Sequence, residues 1–477
     1  MTDHNHFYIT TTLPYINAEP HIGFAAEIIR ADAIARYERL LGKKVFFNTG
    51  TDEHGLKIFR KAEENKIEPQ AYCDQLAKKF EALKQTLNLS YDSFIRTTDQ
   101  HHLEAAQEFW RRCLAKGDIY KKAYQVKYCV GCELEKTESE LVNGRCPLHP
   151  DKDPEMIEEE NYFFRFSNYQ KPLLDFYNNN PDFVLPHHRF TEIKNFVEGG
   201  LQDFSISRLK SKMPWGVAVP DDPEQVMYVW FDALINYISC LGWPKNDQKF
   251  SNFWPGLQVC GKDNLRQQTA MWQAMLLSAA LPNSEQVLIF GFITNNGQKM
   301  SKSLGNVVDP LALVEKFGID PTRYYLLKEI QVFEDSDFNE ENVTKLYNAD
   351  LANGLGNLAA RTANLLEKNE IQLELKLNSD EELENSFKDK MSEYALGEAL
   401  KVLWDKVKAS DEFLSQTTPW KLSDKEEIAT ILRPVAQNIL NIAYWLSPFM
   451  PETAKKIREQ YSATQIKKGE PLFPRLA

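Results

Sequence analysis

The chain has 477 residues, 43% of them hydrophobic and 26% charged, an ordinary globular composition with room for several domains. With 56 basic and 68 acidic side chains its net charge is −12, which argues against indiscriminate coating of nucleic acid but not against one structured RNA held by local basic groups. No apolar run approaches the roughly 20 residues of a membrane span, and the N-terminus has no basic segment followed by an apolar one.

In chain order, Phe7 to Thr11 is β-branched and aromatic and predicts a strand. Asn17-Ala18-Glu19-Pro20-His21-Ile22-Gly23-Phe24 follows as a turn. From about Ile22 to Leu41 apolar residues such as Ile29, Ala33, Tyr37 and Leu41 recur at helical spacing, and Gly42 supplies a stop. Val45 to Phe47 is a short buried strand. This strand–helix–strand unit predicts a parallel sheet. A helix start after such a strand presents free N–H groups and a positive dipole end to phosphate. His21 there suits donation to a phosphoryl oxygen, and Gly23 suits close approach to the backbone.

From about Gly117 to Pro186 the pattern becomes short, polar and cysteine-containing, as for an insertion splitting one sheet. Cys129-Val130-Gly131-Cys132, then 13 residues, then Cys146-Pro147-Leu148-His149 has the spacing of a tetrahedral zinc knuckle. All four positions are filled by protein, so one structural zinc is expected. The other four of the seven cysteines are scattered, which suits a reducing compartment and a cytoplasmic location. The βα rhythm returns with a strand at Leu257–Cys260, a helix at Asn264–Ala279 and a strand at Val287–Phe290. The loop Lys299-Met300-Ser301-Lys302-Ser303 comes next. Its two lysines and two serines suit closure on a polyphosphate. Long helical periodicities then run over Val343–Lys368, Phe387–Leu414 and Glu426–Leu446, predicting a helical bundle. Taken singly, the elbow reads equally as a capped helix start and the lysine loop as a solvated basic turn.

Together, Pro20 to Phe24 and Lys299 to Ser303 resemble the paired signatures of class I aminoacyl-tRNA synthetases. Thr12 to Asn17, Thr49-Gly50-Thr51-Asp52-Glu53-His54-Gly55, Asp203 to Arg208, Tyr228 to Ala233 and Gly261-Lys262-Asp263 narrow the resemblance to the methionyl-tRNA synthetase family, in that family's order. The resemblance implies a Rossmann-type doubly wound parallel sheet split by a zinc-knuckle insertion and followed by an α-helical bundle. The segments expected are a first catalytic half (1–116), the insertion (117–186), a second half with the lysine loop (187–322), and a stem-contact and anticodon-binding region (323–477).

The resemblance also implies site roles. His21, Gly23, Lys299 and Lys302 would be catalytic. ATP, with Mg2+, would meet His21, Gly23, Glu27, Gly261, Asp263 and Lys302. L-methionine would meet Leu13, Tyr15, Asp52, Arg208, Trp230 and Tyr237, with Asp52 on the ammonium, Arg208 on the carboxylate side and the aromatic rings on the thioether. Asn357, Arg361 and Trp420 would read the CAU anticodon of tRNA(Met). Asp263 is equally a helix N-cap, Trp230 a core tryptophan, and Asn357 with Arg361 exposed helix polarity. Phe24 stands where the family's signature at this turn usually ends in a second histidine, and is expected to pack beneath the ATP site. Asn264 and Gln268 stand where the family often has an aliphatic residue and a histidine. No appended dimerising module follows, so a monomer is expected. The rival readings are a class I synthetase for another amino acid, an RNA-binding protein without catalysis, and a small-molecule nucleotidylyltransferase.

Overall fold

The computed structural model describes residues 5–132, 134–136, 140–295, 297–300, 306–377 and 380–476. The chain divides into two compact units that interleave along the sequence. One comprises Met1–Pro20, Lys44–Ala82 and Tyr91–Ile289; the other comprises His21–Lys43, Leu83–Ser90 and Phe290–Ala477.

The first unit is built on an open six-stranded sheet. In spatial order its strands are Ser93–Arg96, Lys44–Thr51, His6–Thr11, Leu257–Gly261, Gln286–Phe290 and Val184–Leu185. His6–Thr11 lies parallel to both Lys44–Thr51 and Leu257–Gly261, with Ile9 opposite Phe47 and Leu257. The inner residues of these strands are buried on both faces, which is why they read as continuous apolar and β-branched runs. This is the doubly wound parallel sheet that the sequence predicts. Its core includes Phe109 stacked on Trp272 with ring centroids 5.7 Å apart, and Trp110 edge-on to Phe231 at 5.4 Å. Burying one such ring contributes about 3 kcal/mol.

The expected insertion is an antiparallel sheet of Leu134–Lys136, Ile119–Cys129, Glu155–Phe164 and Phe204–Ser205. Its long pair runs in continuous register from Ile119 opposite Phe164 to Tyr128 opposite Glu155, and so carries the cysteine turn far from the strand's root. The chain has already returned to the main sheet at Val184–Leu185, whereas Phe204–Ser205 comes back to pair with the insertion. The helix expected over Asn264–Ala279 is instead a 3-10 turn (Lys262–Asn264), a π-helical turn (Gln267–Met271) and an α-helix (Trp272–Ser278).

The second unit gathers the elbow helix Ile22–Leu40, a small sheet of Gln298–Lys299, Ile293–Asn295 and Ser336–Phe338, and the C-terminal helices. A buried ion cluster ties the elbow helix in place. Asp32 accepts from Arg323 and from Arg36, each at 2.7 Å, and from the Ser90 backbone N–H and hydroxyl at 2.6 and 2.7 Å. Arg323 donates onward to the carbonyls of Leu87, Pro448 and Phe449. Burial alone would push the Asp32 carboxyl up; the two guanidinium groups and Ser90 hold it below its ordinary value.

The bundle departs from the predicted helices at two points. Phe387–Leu414 is two helices, Glu381–Ser392 and Leu396–Thr417, separated by a turn in which Tyr394 has φ +54°. Apolar residues keep facing the core across the turn, so the periodicity does not register it. Val343–Lys368 is likewise interrupted by a π-helical stretch, Tyr347–Leu355, with a non-helical Gly354 just before the helix Gly356–Lys368. Among the described residues, no helix is long and apolar enough to cross a membrane.

Candidate functional site

His21 is the N-cap of the elbow helix. Its backbone is extended, and its Nδ1 accepts from the Gly23 N–H at 3.0 Å. The ring sits where a Cβ on residue 23 would come within 2.8 Å of Cε1, so only glycine at 23 admits this cap. With Nδ1 accepting, Nε2 is the nitrogen that carries the proton. The Ile22 N–H donates to the Val308 carbonyl at 3.0 Å. The first two amides of the helix therefore have partners inside the chain, where the sequence suggests open donors, and the space above Gly23 is taken by His21 itself.

Val308 lies just beyond the lysine loop, so this hydrogen bond joins the loop's root to the helix start. The other root is held by the Asn295 side chain, which donates to the Asn306 carbonyl at 2.9 Å. Lys299 is on the strand Gln298–Lys299, opposite Thr294. Lys302, with Ser301 and Ser303, lies outside the described residues. Phe24 and Glu27 are half-buried on the first turns of the helix.

Within the first unit, Tyr15 and Asp52 pair as an isolated parallel bridge at the ends of their strands. The Asp52 N–H donates to the Pro14 carbonyl at 3.0 Å, and its carbonyl accepts from the Ile16 N–H at 3.2 Å. The adjoining Glu53 anchors the loop. It is fully buried, takes a bidentate pair from Arg96 at 2.7 and 2.8 Å, and accepts from the hydroxyls of Thr51 and Thr98 at 2.6 Å each. Asp52 is thus presented from a rigid platform.

Tyr15 and Trp230 pack in one small cluster with Tyr128, Val130, Tyr228 and Val229. Arg208 is buried beside it, its guanidinium 5.3 Å from the Tyr128 ring and 4.5 Å from the Tyr228 ring. Its Nη1 donates to the Ser205 hydroxyl and the Ser207 carbonyl, both at 2.7 Å. Leu13 and Tyr237 belong to the larger core cluster instead. The Tyr237 hydroxyl oxygen accepts from Gln268 Nε2 at 2.6 Å, so Gln268 holds the ring. Gly261 precedes the 3-10 turn that contains Asp263, and Asp263 is inside that turn rather than its cap. Sequence reading missed Tyr128 and Tyr228. Tyr128 adjoins a cysteine and Tyr228 opens a motif already noted, but nothing in one sequence marks either as an arginine platform.

The knuckle residues converge. The Sγ atoms of Cys129, Cys132 and Cys146 and a ring nitrogen of His149 all lie within 4.8 Å of one another. Cys132 Sγ is 3.4 Å from Cys146 Sγ and 3.2 Å from His149 Nδ1, and Cys129 Sγ is 3.8 Å from His149 Nδ1. A tetrahedral zinc with about 2.3 Å Zn–S bonds spaces its ligand atoms by about 3.7 Å, so this donor set fits that ion. Burial, with Cys146 and Cys129 alongside, pushes the Cys132 thiol up, while Cys132 and the Leu148 backbone hold Cys146 below its ordinary value against its burial. A Cβ at Gly131 would overlap the His149 ring, so glycine is required between the cysteines. Tyr128 and Val130, which flank Cys129, are the same residues that pack with Tyr15 and Trp230.

In the bundle the structure brings Arg361 and Trp420 together. The guanidinium stacks 4.2 Å from the Trp420 ring centroid and also meets Asp411 Oδ1 at 3.2 Å. Trp420 is 43% exposed. Asn357 is exposed four residues before Arg361 on the helix Gly356–Lys368. An exposed ring with a cation on one face is a stacking surface for an unpaired base. Asp411 is the member that the sequence does not mark.

A family model for class I tRNA synthetases (M) matches residues 7–152 and 135–363, most of the chain. The methionine–tRNA ligase of Nostoc sp. is 44% identical over 475 residues, covering 95% of this chain and 89% of that protein. The methionine–tRNA ligase of Rhizobium meliloti is 40% identical over 514 residues, covering 100% of this chain and 99% of its own. Among solved structures, Mycobacterium tuberculosis methionyl-tRNA synthetase in complex with methionyl-adenylate matches with a TM-score of 0.92 at 36% identity, covering 99% of this chain and 100% of that one.

Proposed function

The chain belongs to the class I aminoacyl-tRNA synthetases, in the methionyl-tRNA synthetase family, and on that premise we propose which residues carry each step of the family's reaction. The reaction itself is ATP-dependent activation of L-methionine to methionyl-adenylate with release of diphosphate, then transfer to the 3′ end of tRNA(Met) with release of AMP.

Methionine's carboxylate attacks the α-phosphate of ATP. The protein's part is positioning and stabilisation of developing charge, with no covalent enzyme intermediate. Asp52 takes the substrate ammonium, and the burial of its platform supports that role. Trp230 and Tyr15 contact the thioether, with Leu13 and Tyr237 behind them. Arg208, fixed by Ser205 and Ser207, lends positive charge on the carboxylate side. His21 donates from Nε2 to a phosphoryl oxygen, Gly23 permits that ring pose, and Lys299 and Lys302 stabilise the departing diphosphate. Glu27, Gly261 and Asp263 hold the nucleoside. Magnesium comes with the nucleotide as part of the substrate. Cys129, Cys132, Cys146 and His149 would hold one structural zinc, which would fix the turn that carries Tyr128 and Val130 and take no step in the chemistry. Asn357, Arg361 and Trp420 read the CAU anticodon. The working form is a cytoplasmic monomer, and the segments 1–116, 117–186, 187–322 and 323–477 are its functional divisions.

The observation that supports this reading is the hydrogen bond from the Ile22 N–H, at the helix start that His21 caps, to the Val308 carbonyl, five residues beyond the second signature. Diphosphate exchange into ATP with each of the twenty amino acids, without tRNA, tests it. Exchange with methionine alone is expected. Exchange with another amino acid would overturn the specificity, and none at all would overturn the catalytic reading.

A further inference from the structure

Two residues from Asp52 in sequence, His54 is turned inward and buried. Its Nδ1 lies 2.6 Å from Asp232 Oδ2. Asp232 is two residues from Trp230, on the short helix Val229–Ala233, and is fully buried. Its other oxygen lies 2.8 Å from His102 Nε2, and His102 Nδ1 lies 2.9 Å from the Ser239 hydroxyl. His102 is on the helix Gln100–Ala115, so three separate elements meet on one carboxylate. Each imidazole nitrogen facing that carboxylate carries a proton, because a carboxylate only accepts. The His54 ring is further set edge-on to Trp215, with centroids 5.5 Å apart. Trp215 in turn donates from its indole N–H to the Glu53 carbonyl at 2.6 Å and accepts the Gly55 N–H at 3.2 Å.

A buried charge is costly unless paired, and apolar residues would fill this space at lower cost. The cluster joins the loop bearing Asp52 and the helix bearing Trp230, the groups assigned to opposite ends of the methionine side chain and its ammonium.

We propose that Asp232, with His54 and His102, is a positioning clamp that sets the ammonium-binding Asp52 and the thioether-binding Trp230 at the spacing of one methionine. This rests on the assignment of Asp52 and Trp230 to methionine. The clamp predicts a loss of methionine affinity without a loss of nucleotide affinity. The carboxylate's hydrogen bonds are charge-assisted, so loosening them is expected to raise the KM for methionine by about tenfold or more.

The test is methionine-dependent diphosphate exchange on the zinc-loaded full chain, with KM for methionine and for ATP measured separately and fold checked by near-UV circular dichroism. Asp232→Asn and His54→Ala are each expected to raise the methionine KM about tenfold and leave the ATP KM within about twofold. His54→Asn, whose amide nitrogen occupies the place of Nδ1, is expected to restore the wild-type methionine KM. Should Asp232→Asn not fold, the two His54 variants carry the same comparison. Folded variants with both KM values unchanged would overturn the clamp, as would a parallel rise in both. Wild-type chain that shows no methionine exchange would instead overturn the assignment on which the clamp rests.

Discussion

His21 caps a helix, and a second, separable job is proposed for it. Its Nδ1 caps the elbow helix through Gly23, and its Nε2 is the donor assigned to phosphate. Asparagine is among the best N-caps and has no counterpart to Nε2. His21→Asn is therefore expected to keep the melting temperature close to wild type while the exchange rate falls about 10²-fold. His21→Ala is expected to lose the same activity and, in addition, about 1 kcal/mol of stability. An Asn variant that retained full exchange would remove His21 from the chemistry. The helix cap at 21 was legible because a lone histidine between a strand and a helix, followed by glycine, is a readable local pattern. The partner of Arg361 was not, because Asp411 lies 50 residues away on another helix and looks like any exposed aspartate.

At the scale of elements, the knuckle was legible to the residue because metal geometry constrains spacing within a short stretch. The break at Tyr394 was not, because both flanking helices keep their apolar faces on the same core and only a backbone torsion marks the turn. The π-helical Tyr347–Leu355 escaped for the same reason: an extra residue per turn leaves little trace in a periodicity. The glycine in the cysteine turn offers a prediction at this scale. Gly131→Ala places a methyl where the His149 ring lies, so zinc affinity measured against a chromophoric chelator is expected to fall at least about tenfold. Cys129→Ser with Cys132→Ser is expected to bind none. A Gly131→Ala chain that held zinc as tightly as wild type would mean that the ring has another resting place.

For the whole molecule, the proposed roles give the two steps of the reaction to different residues. Exchange needs no RNA, whereas charging is proposed to depend on Asn357, Arg361 and Trp420. Arg361→Ala and Trp420→Ala remove the stacked cation and ring, each worth about 1–3 kcal/mol per stacked base. Charging efficiency with tRNA(Met) is expected to fall by about 10- to 100-fold while methionine-dependent exchange stays at wild-type rate. A fall in exchange as well would show that these residues support the fold of their unit rather than RNA. The net charge of −12 bears on the same experiment. Binding of tRNA then rests on local basic groups, and the slope of log affinity against log salt counts the phosphates that they neutralise. The broad plan, a doubly wound sheet followed by helices, was legible because it repeats the same local rhythm twice. The interleaving of the two compact units was not, because it depends on contacts such as Asp32 with Arg323, nearly three hundred residues apart.

The hydrogen bonds at the start of the elbow helix distinguish this turn from an amide-lined anion cradle. The Ile22 N–H is held by Val308, and the Gly23 N–H by His21. On the roles proposed for His21, Lys299 and Lys302, a nucleotide arriving here meets an imidazole and ammonium groups instead. An acyl donor reaches the lysines, whereas backbone amides are indifferent to it. On that proposal, covalent modification of the loop lysines is expected to turn nucleotide affinity down while the melting temperature stays at its wild-type value.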